Sequence, residues 1–147
     1  MVSYKDFKRI GKWYLDTSNS STETGYKALL FDGTRLAKLI KISNNPRDAF
    51  KSRIIGDLKY VSLPSLGDID MWYGNRKEEN GFPGYFLLKD GKYYDSISRG
   101  FAFLRHDKEG NVVDIADEDI ERICTLIDVH KEISDLGDYS LRQIIIE

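Results

Sequence analysis

Cysteine is nearly missing from this chain. Cys124 stands alone, so an intrachain disulfide and a multi-thiolate metal site are both excluded. Histidine is almost as scarce, and His106 with His130 is too small a set for a zinc centre. Long apolar runs are lacking as well: stretches such as Ala28 to Phe31 and Ile144 to Ile146 fall far short of the ~20 residues that span a bilayer. The basic segment holding Lys5, Lys8, Arg9 and Lys12 is not followed by the apolar region of a signal peptide. A cytoplasmic location with no membrane partner is expected.

A surplus of one charge is also missing, since the net charge is only −2. That balance hides an asymmetry. Residues 1–106 carry 18 basic against 12 acidic side chains, whereas residues 107–147 carry 4 against 12. Neither the basic stripe of a nucleic-acid binder nor the overall acidity of a nucleic-acid mimic extends over the whole chain.

What is present suits a small water-soluble fold. The 147 residues suffice for one domain with a core and are too few for two ordinary ones. Tyr4, Phe7, Ile10 and Tyr14 fall at spacings of three and four behind Ser3, which predicts an amphipathic helix over 3–15. The polar tract Thr17 to Gly25 then reads as a linker, so residues 1–25 form an appendage to a domain spanning 26–147. Tyr4, Phe7 and Trp13 are its expected protein-interface anchors.

Tyr26 to Asp32 and Arg35 to Ile42 are apolar runs split by a turn containing Asp32-Gly33, the signal of a β-hairpin. Asn45-Pro46 opens a short helix that Gly56 stops. Strands follow over 57–63, 68–73, 85–88, 92–97 and 99–105, and VVDI resumes a strand after the turn HDKEGN. Asp117 reads as an N-cap, with Ile120, Ile123, Cys124 and Ile127 on one helical face running to about Gly137. Residues 139–146 add a last strand or a packed tail. The expected fold is α+β: one domain with a mostly antiparallel sheet of six to eight strands and two or three helices.

Chemistry is weakly signalled. RHDKEGN, Arg105 to Asn111, has the wrong order and length for a kinase catalytic loop. His106 and Asp107 are neighbours on a strand and point to opposite faces, so they do not make a ready base and orienter. Asp114, Asp117, Glu118, Asp119 and Glu121 suit the start of a helix better than a calcium loop, so no metal and no cofactor is expected. The strongest binding signal is a basic and aromatic set: Trp72, Tyr73, Arg76, Lys92, Tyr93, Tyr94, Arg99 and Arg105, with His106 at its rim. Aromatic planes stack on bases and guanidinium forks hold phosphates.

Tyr94 to Ile123, YDSISRGFAFLRHDKEGNVVDIADEDIERI, resembles the family labelled domain of unknown function 3846. Upstream, YKALLFDG, IIGDLKYVSL, DIDMWY and ENGFPGYFLL continue the likeness, which covers roughly residues 26–123. Arg99, where the family has a small or β-branched residue, and Tyr85, near its Asn, depart from the pattern. The resemblance implies a protein of phages, plasmids and other mobile elements, and transfers no catalytic residue. The expected function is a non-enzymatic accessory binding protein, acting for example against host defence, whose partner is a host protein or a nucleotide-like ligand. Two alternatives stand beside it. One is a small enzyme on a nucleotide or phosphate-bearing substrate, with His106 as acid/base and Arg99 and Arg105 on the phosphate; the other is a nucleic-acid-binding protein. Self-association is left open.

Overall fold

The computed structural model describes residues 7–11, 13–16, 25–31, 36–54, 56–63, 66–75, 85–89, 92–126, 128–133 and 140–146. In chain order these form β1 (Phe7–Ile10), β2 (Trp13–Asp16), β3 (Tyr26–Phe31), β4 (Leu36–Ile42), α1 (Pro46–Lys51), β5 (Asp57–Ser62) and β6 (Ile69–Asn75). There follow β7 (Tyr85–Lys89), β8 (Lys92–His106), β9 (Val112–Val113), α2 (Asp117–Leu126), β10 (Asp128–Ile133) and β11 (Ser140–Ile146).

The fold is α+β: one sheet and two helices among the described residues. Eight strands lie on one continuous path, β1-β2-β4-β3-β8-β7-β11-β10, while β6 and β9 attach to β8 and β5 attaches to β6. Pairing is antiparallel except for β2 with β4 and β7 with β11.

β8 is the axis of this arrangement. Phe101, Ala102 and Phe103 each have a partner on β3 and another on β6, so both edges of the strand are paired there. Side chains alternate across it. Phe101 and Phe103 join Leu29, Phe31, Met71 and Tyr73 on one face, where Ile120, Ile123 and Cys124 of α2 cover them. Ala102 and Leu104 join Ala28, Leu30 and Trp72 on the other face, under Phe50 of α1 and Ile54. Burying an Ile or Phe side chain stabilises by roughly 1.5–3 kcal/mol, so each helix is held by its apolar stripe more than by its own short length.

Local chemistry sets both helix starts. The Asn45 side chain accepts from the Asp48 N–H at 3.3 Å and donates to the Asp48 carboxylate at 2.9 Å, with Pro46 in the first turn. In α2 the cap is Ala116 rather than the expected Asp117. Its N–H is bonded by the Asp119 carboxylate at 2.9 Å, and its carbonyl accepts from Ile120.

The N-terminal helix expected over 3–15 is corrected in its described part. β1 and β2 are a hairpin with Ile10 opposite Trp13, and Gly11 at φ +60° supplies the left-handed turn position that a two-residue connection needs. Trp13 and Leu15 are buried and Tyr14 is exposed, a period-two pattern, and β2 lies parallel to β4 with Tyr14 beside Leu36. The hairpin extends the sheet instead of forming an appendage. Tyr4 and the polar tract 17–24 lie outside the described residues.

Two further expectations change. α2 ends at Leu126 instead of near Gly137, and β10 follows it, paired along its length with β11. The strands foreseen at 92–97 and 99–105 are one fifteen-residue strand. No described helix is long and apolar enough to cross a membrane.

Candidate functional site: a tyrosine-lined cleft beside the β5 edge

Two irregularities in β8 build the site. Against β6, Tyr73 pairs with Phe101 but Asn75 pairs with Ile97, so the register slips across residues 98–100. Against β7, Leu87 pairs with Asp95 but Leu88 pairs with Tyr93, which leaves Tyr94 as the extra residue of a β-bulge. A bulge re-aims side chains that a regular pleat sends to opposite faces. Tyr94 and its neighbour Asp95 accordingly both line one cleft of about 430 Å³, with Lys59 and Tyr60 of β5 and Arg47 of α1. That volume lies within the range of small-molecule sites.

Asp95 is the best-held group there. Its carboxylate accepts from the Tyr73 hydroxyl at 2.7 Å and from the Asn75 amide, with the Lys59 ammonium 3.8 Å away. The Asp95 side chain is 16% exposed and that of Lys59 52%. Tyr60 and Tyr94 are exposed. Among the described lining residues two cations, Arg47 and Lys59, outnumber one carboxylate, which favours a ligand carrying negative charge.

Trp72 forms the support under one wall. Tyr60 stacks on it at 4.9 Å, and the Arg47 guanidinium sits over its ring at 5.5 Å while donating to the Leu58 carbonyl at 3.2 Å. The Phe50 ring lies tilted against it, centroids 5.9 Å apart. Stacking and the cation–π contact pre-position Tyr60 and Arg47. The Trp72 indole N–H is buried and has no hydrogen-bond partner among the described residues.

Two other polar clusters lie elsewhere. The His106 Nε2 faces Asp70 at 3.4 Å, and Ser62 donates to the other Asp70 oxygen at 2.9 Å. The His106 Nδ1 donates to the Asp107 carbonyl at 3.0 Å. That bond, followed by the opposing effect of burial and then the charges of Asp70 and Asp68, raises the His106 pKa above its ordinary value. The carboxylate stands between Ser62 and the imidazole, so His106 does not activate the serine as a nucleophile-base pair would. On the opposite face, Arg105 and Arg122 both bond Asp119.

The expected ligand set is thus partly assembled and partly dispersed. Tyr94 and the Tyr73 hydroxyl reach the cleft. Trp72, at 7% exposed, supports it from beneath and is not a surface plane. Arg105 is committed to Asp119 of α2, His106 to Asp70, and the two side chains leave β8 on opposite faces. Lys92 is exposed and is not among the lining residues. Arg76 and the side chains of Tyr93 and Arg99 lie outside the described residues.

Of the interface anchors, Trp13 is 3% exposed and packs edge-on against Phe31 at 4.6 Å, so it is a core residue. Tyr4 and the Phe7 side chain lie outside the described residues. The Asp107 carboxylate bonds the N–H groups of Glu109 and Asn111 and closes the turn, and so does not orient His106. These bonds from Asn111 and Glu109 outweigh its desolvation and lower its pKa.

Sequence reasoning missed Arg47, Lys59, Tyr60 and Asp95. A signal existed for Tyr60, because pairing DLKYVSL against DIDMWY puts it beside Trp72. No local pattern marks Asp95, whose place depends on the two register shifts. Against known proteins, no family model, no curated protein and no solved structure matches the chain.

Proposed function

We propose that this protein is a binding protein without chemistry of its own, and that it holds a nucleotide-like, phosphate-bearing ligand in the cleft beside β5. One observation carries the reading: two exposed tyrosines and two cations surround a carboxylate anchored by Tyr73 and Asn75 in a cleft of about 430 Å³. Tyrosine faces stack on a planar ring, and the Arg47 fork and Lys59 ammonium suit phosphate oxygens. The resemblance of residues 26–123 to a family of mobile-element proteins adds the setting, an accessory role inside a host cell, with counter-defence as its expected purpose.

Isothermal titration of the full chain with mononucleotides, inorganic phosphate and pyrophosphate tests the reading. A nucleotide should bind, and Tyr94→Ala and Arg47→Ala should each weaken it about tenfold, the order expected for one lost stacking or charge-assisted contact. Both side chains are exposed, so the loss should come with only a small fall in stability, about 1 kcal/mol for Arg47→Ala, which also gives up the contact with Trp72 and the bond to the Leu58 carbonyl. Absence of binding by every nucleotide at 1 mM, or binding indifferent to both substitutions, overturns the reading.

A further inference from the structure

Trp72 positions two binding groups at once. Resting on the nucleotide reading above, we propose that the cleft takes a nucleoside with a single phosphate: the ring stacks on Tyr60, the Arg47 guanidinium holds the phosphate, and Lys59 and Asp95 stay paired as a fixed wall.

Tyr60 is stacked on Trp72, with centroids 4.9 Å apart and planes 26° from parallel, and is 53% exposed. One face of its ring rests on the indole, and the opposite face is left for a ligand. A planar ring laid there continues the column that Trp72 begins.

The same indole holds Arg47, whose guanidinium carbon lies 5.5 Å from the ring centroid, while the Leu58 carbonyl accepts one of its N–H groups at 3.2 Å. Both groups are anchored to one side chain, so the Tyr60 ring and the Arg47 guanidinium stand within the length of one nucleotide of each other. A guanidinium carries five N–H donors in a rigid fork, and Leu58 takes one of them. Among the described residues no carboxylate forms a salt bridge with Arg47. Its remaining donors match the oxygens of one phosphate group.

Charge sets the limit at that group. Of the two cations that line the cleft, Lys59 stands 3.8 Å from Asp95, a carboxylate also bonded by Tyr73 and Asn75, so its charge is compensated within the wall. Arg47 therefore supplies the unbalanced charge of the described lining. Lys51 and Arg53 are exposed but are not among the lining residues. A second or third phosphate extends past Arg47 without another unbalanced lining cation to meet it.

Isothermal titration of the full chain with adenosine, AMP, ADP and ATP, and with the matching guanosine series, reads this directly. In each series that binds, the monophosphate should bind about tenfold more tightly than the nucleoside, the worth of one charge-assisted contact. The diphosphate and triphosphate should stay within about threefold of the monophosphate. Arg47→Gln should bring the monophosphate down to the level of the nucleoside, and Tyr60→Leu should weaken both about tenfold. Loss of fold weakens nucleoside and monophosphate alike, so the change in their ratio isolates Arg47. A triphosphate or diphosphate more than threefold tighter than the monophosphate overturns the single-phosphate inference and leaves the nucleotide reading standing. A step from nucleoside to monophosphate below threefold, or one that survives Arg47→Gln, or affinities indifferent to Tyr60→Leu, likewise overturns it. No binding by any member of either series at 1 mM overturns the inference and the nucleotide reading together.

Discussion

Arg105 on β8 donates to both carboxylate oxygens of Asp119 on α2, at 2.9 and 3.0 Å, and so ties the central strand to the helix that covers one face of the sheet. Asp119 is 1% exposed and also accepts from Arg122 at 2.8 Å and from the Ala116 N–H. One carboxylate thereby closes the helix start and joins it to the core strand.

Asp119→Ala should consequently destabilise the protein by about 2–3 kcal/mol, less than for a fully buried pair because both arginines are partly exposed. Burial pushes the Asp119 carboxyl up, but the bonds from Ala116, Arg122 and Arg105 prevail and hold its pKa below the ordinary value. With the folded pKa depressed, the stabilisation is present above the unfolded value of about 4 and is lost as pH falls through the folded one. Urea midpoints at pH 7 and pH 3 should differ less in the variant than in the unaltered protein.

His106 acts in the opposite direction. Its folded pKa is raised, so its contribution is complete below the unfolded value of about 6.5 and disappears as pH rises through the higher folded value. The cause is geometric: the Nδ1 proton goes to the Asp107 carbonyl, and only a protonated Nε2 can donate to Asp70. Melting temperature should decline between pH 6 and pH 8, and His106→Gln should flatten that decline.

Gly56 precedes β5 at φ +103°, and a Cβ there would lie 2.5 Å from the Asn75 carbonyl oxygen. Gly56→Ala therefore meets both backbone strain and a backbone clash, with an expected loss of about 2–4 kcal/mol. Gly110, at φ +86°, has open space around it, so Gly110→Ala should cost only about 1 kcal/mol. Guanidinium denaturation of the pair separates the clash from the dihedral strain. Because Asn75 also bonds Asp95, the Gly56 variant should additionally lose ligand affinity.

Trp72→Phe should be close to neutral, within about 1 kcal/mol. It removes an indole N–H that is buried without a partner among the described residues, a relief that offsets part of the lost packing. Trp72→Ala removes the support beneath Tyr60 and Arg47 and should cost about 3–5 kcal/mol. Equal losses in chemical denaturation would show that the orphan N–H carries no penalty.

Legibility along the chain followed the range of the interactions. The hairpin of β3 and β4 was readable because two apolar runs are split by Asp32-Gly33, and its register puts Leu29 opposite Leu39. The start of α1 was readable because Asn45, Pro46 and Asp48 act within one turn. Residues 3–15 misled, since Phe7, Ile10 and Tyr14 fit a helical spacing while Gly11 and the alternation of Trp13, Tyr14 and Leu15 fit a hairpin. Parallel pairing with β4 resolves the ambiguity, and that partner lies more than twenty residues away. The acidic run opens a helix as its pattern suggests, yet Asp119 proved to be the centre of that start only once Arg105 was brought across from β8.

What the sequence determined by itself is the α+β class and most strand and helix starts, because turn chemistry, capping and side-chain alternation act between near neighbours. Tertiary structure alone decided that Tyr94 forms a bulge, that Asp95 meets Tyr73, Asn75 and Lys59, and that Arg105 turns to α2 while His106 turns to Asp70. Each of these depends on the register between strands distant in the chain. A shift of one residue sends every side chain to the other face, so the cleft exists only in the assembled sheet.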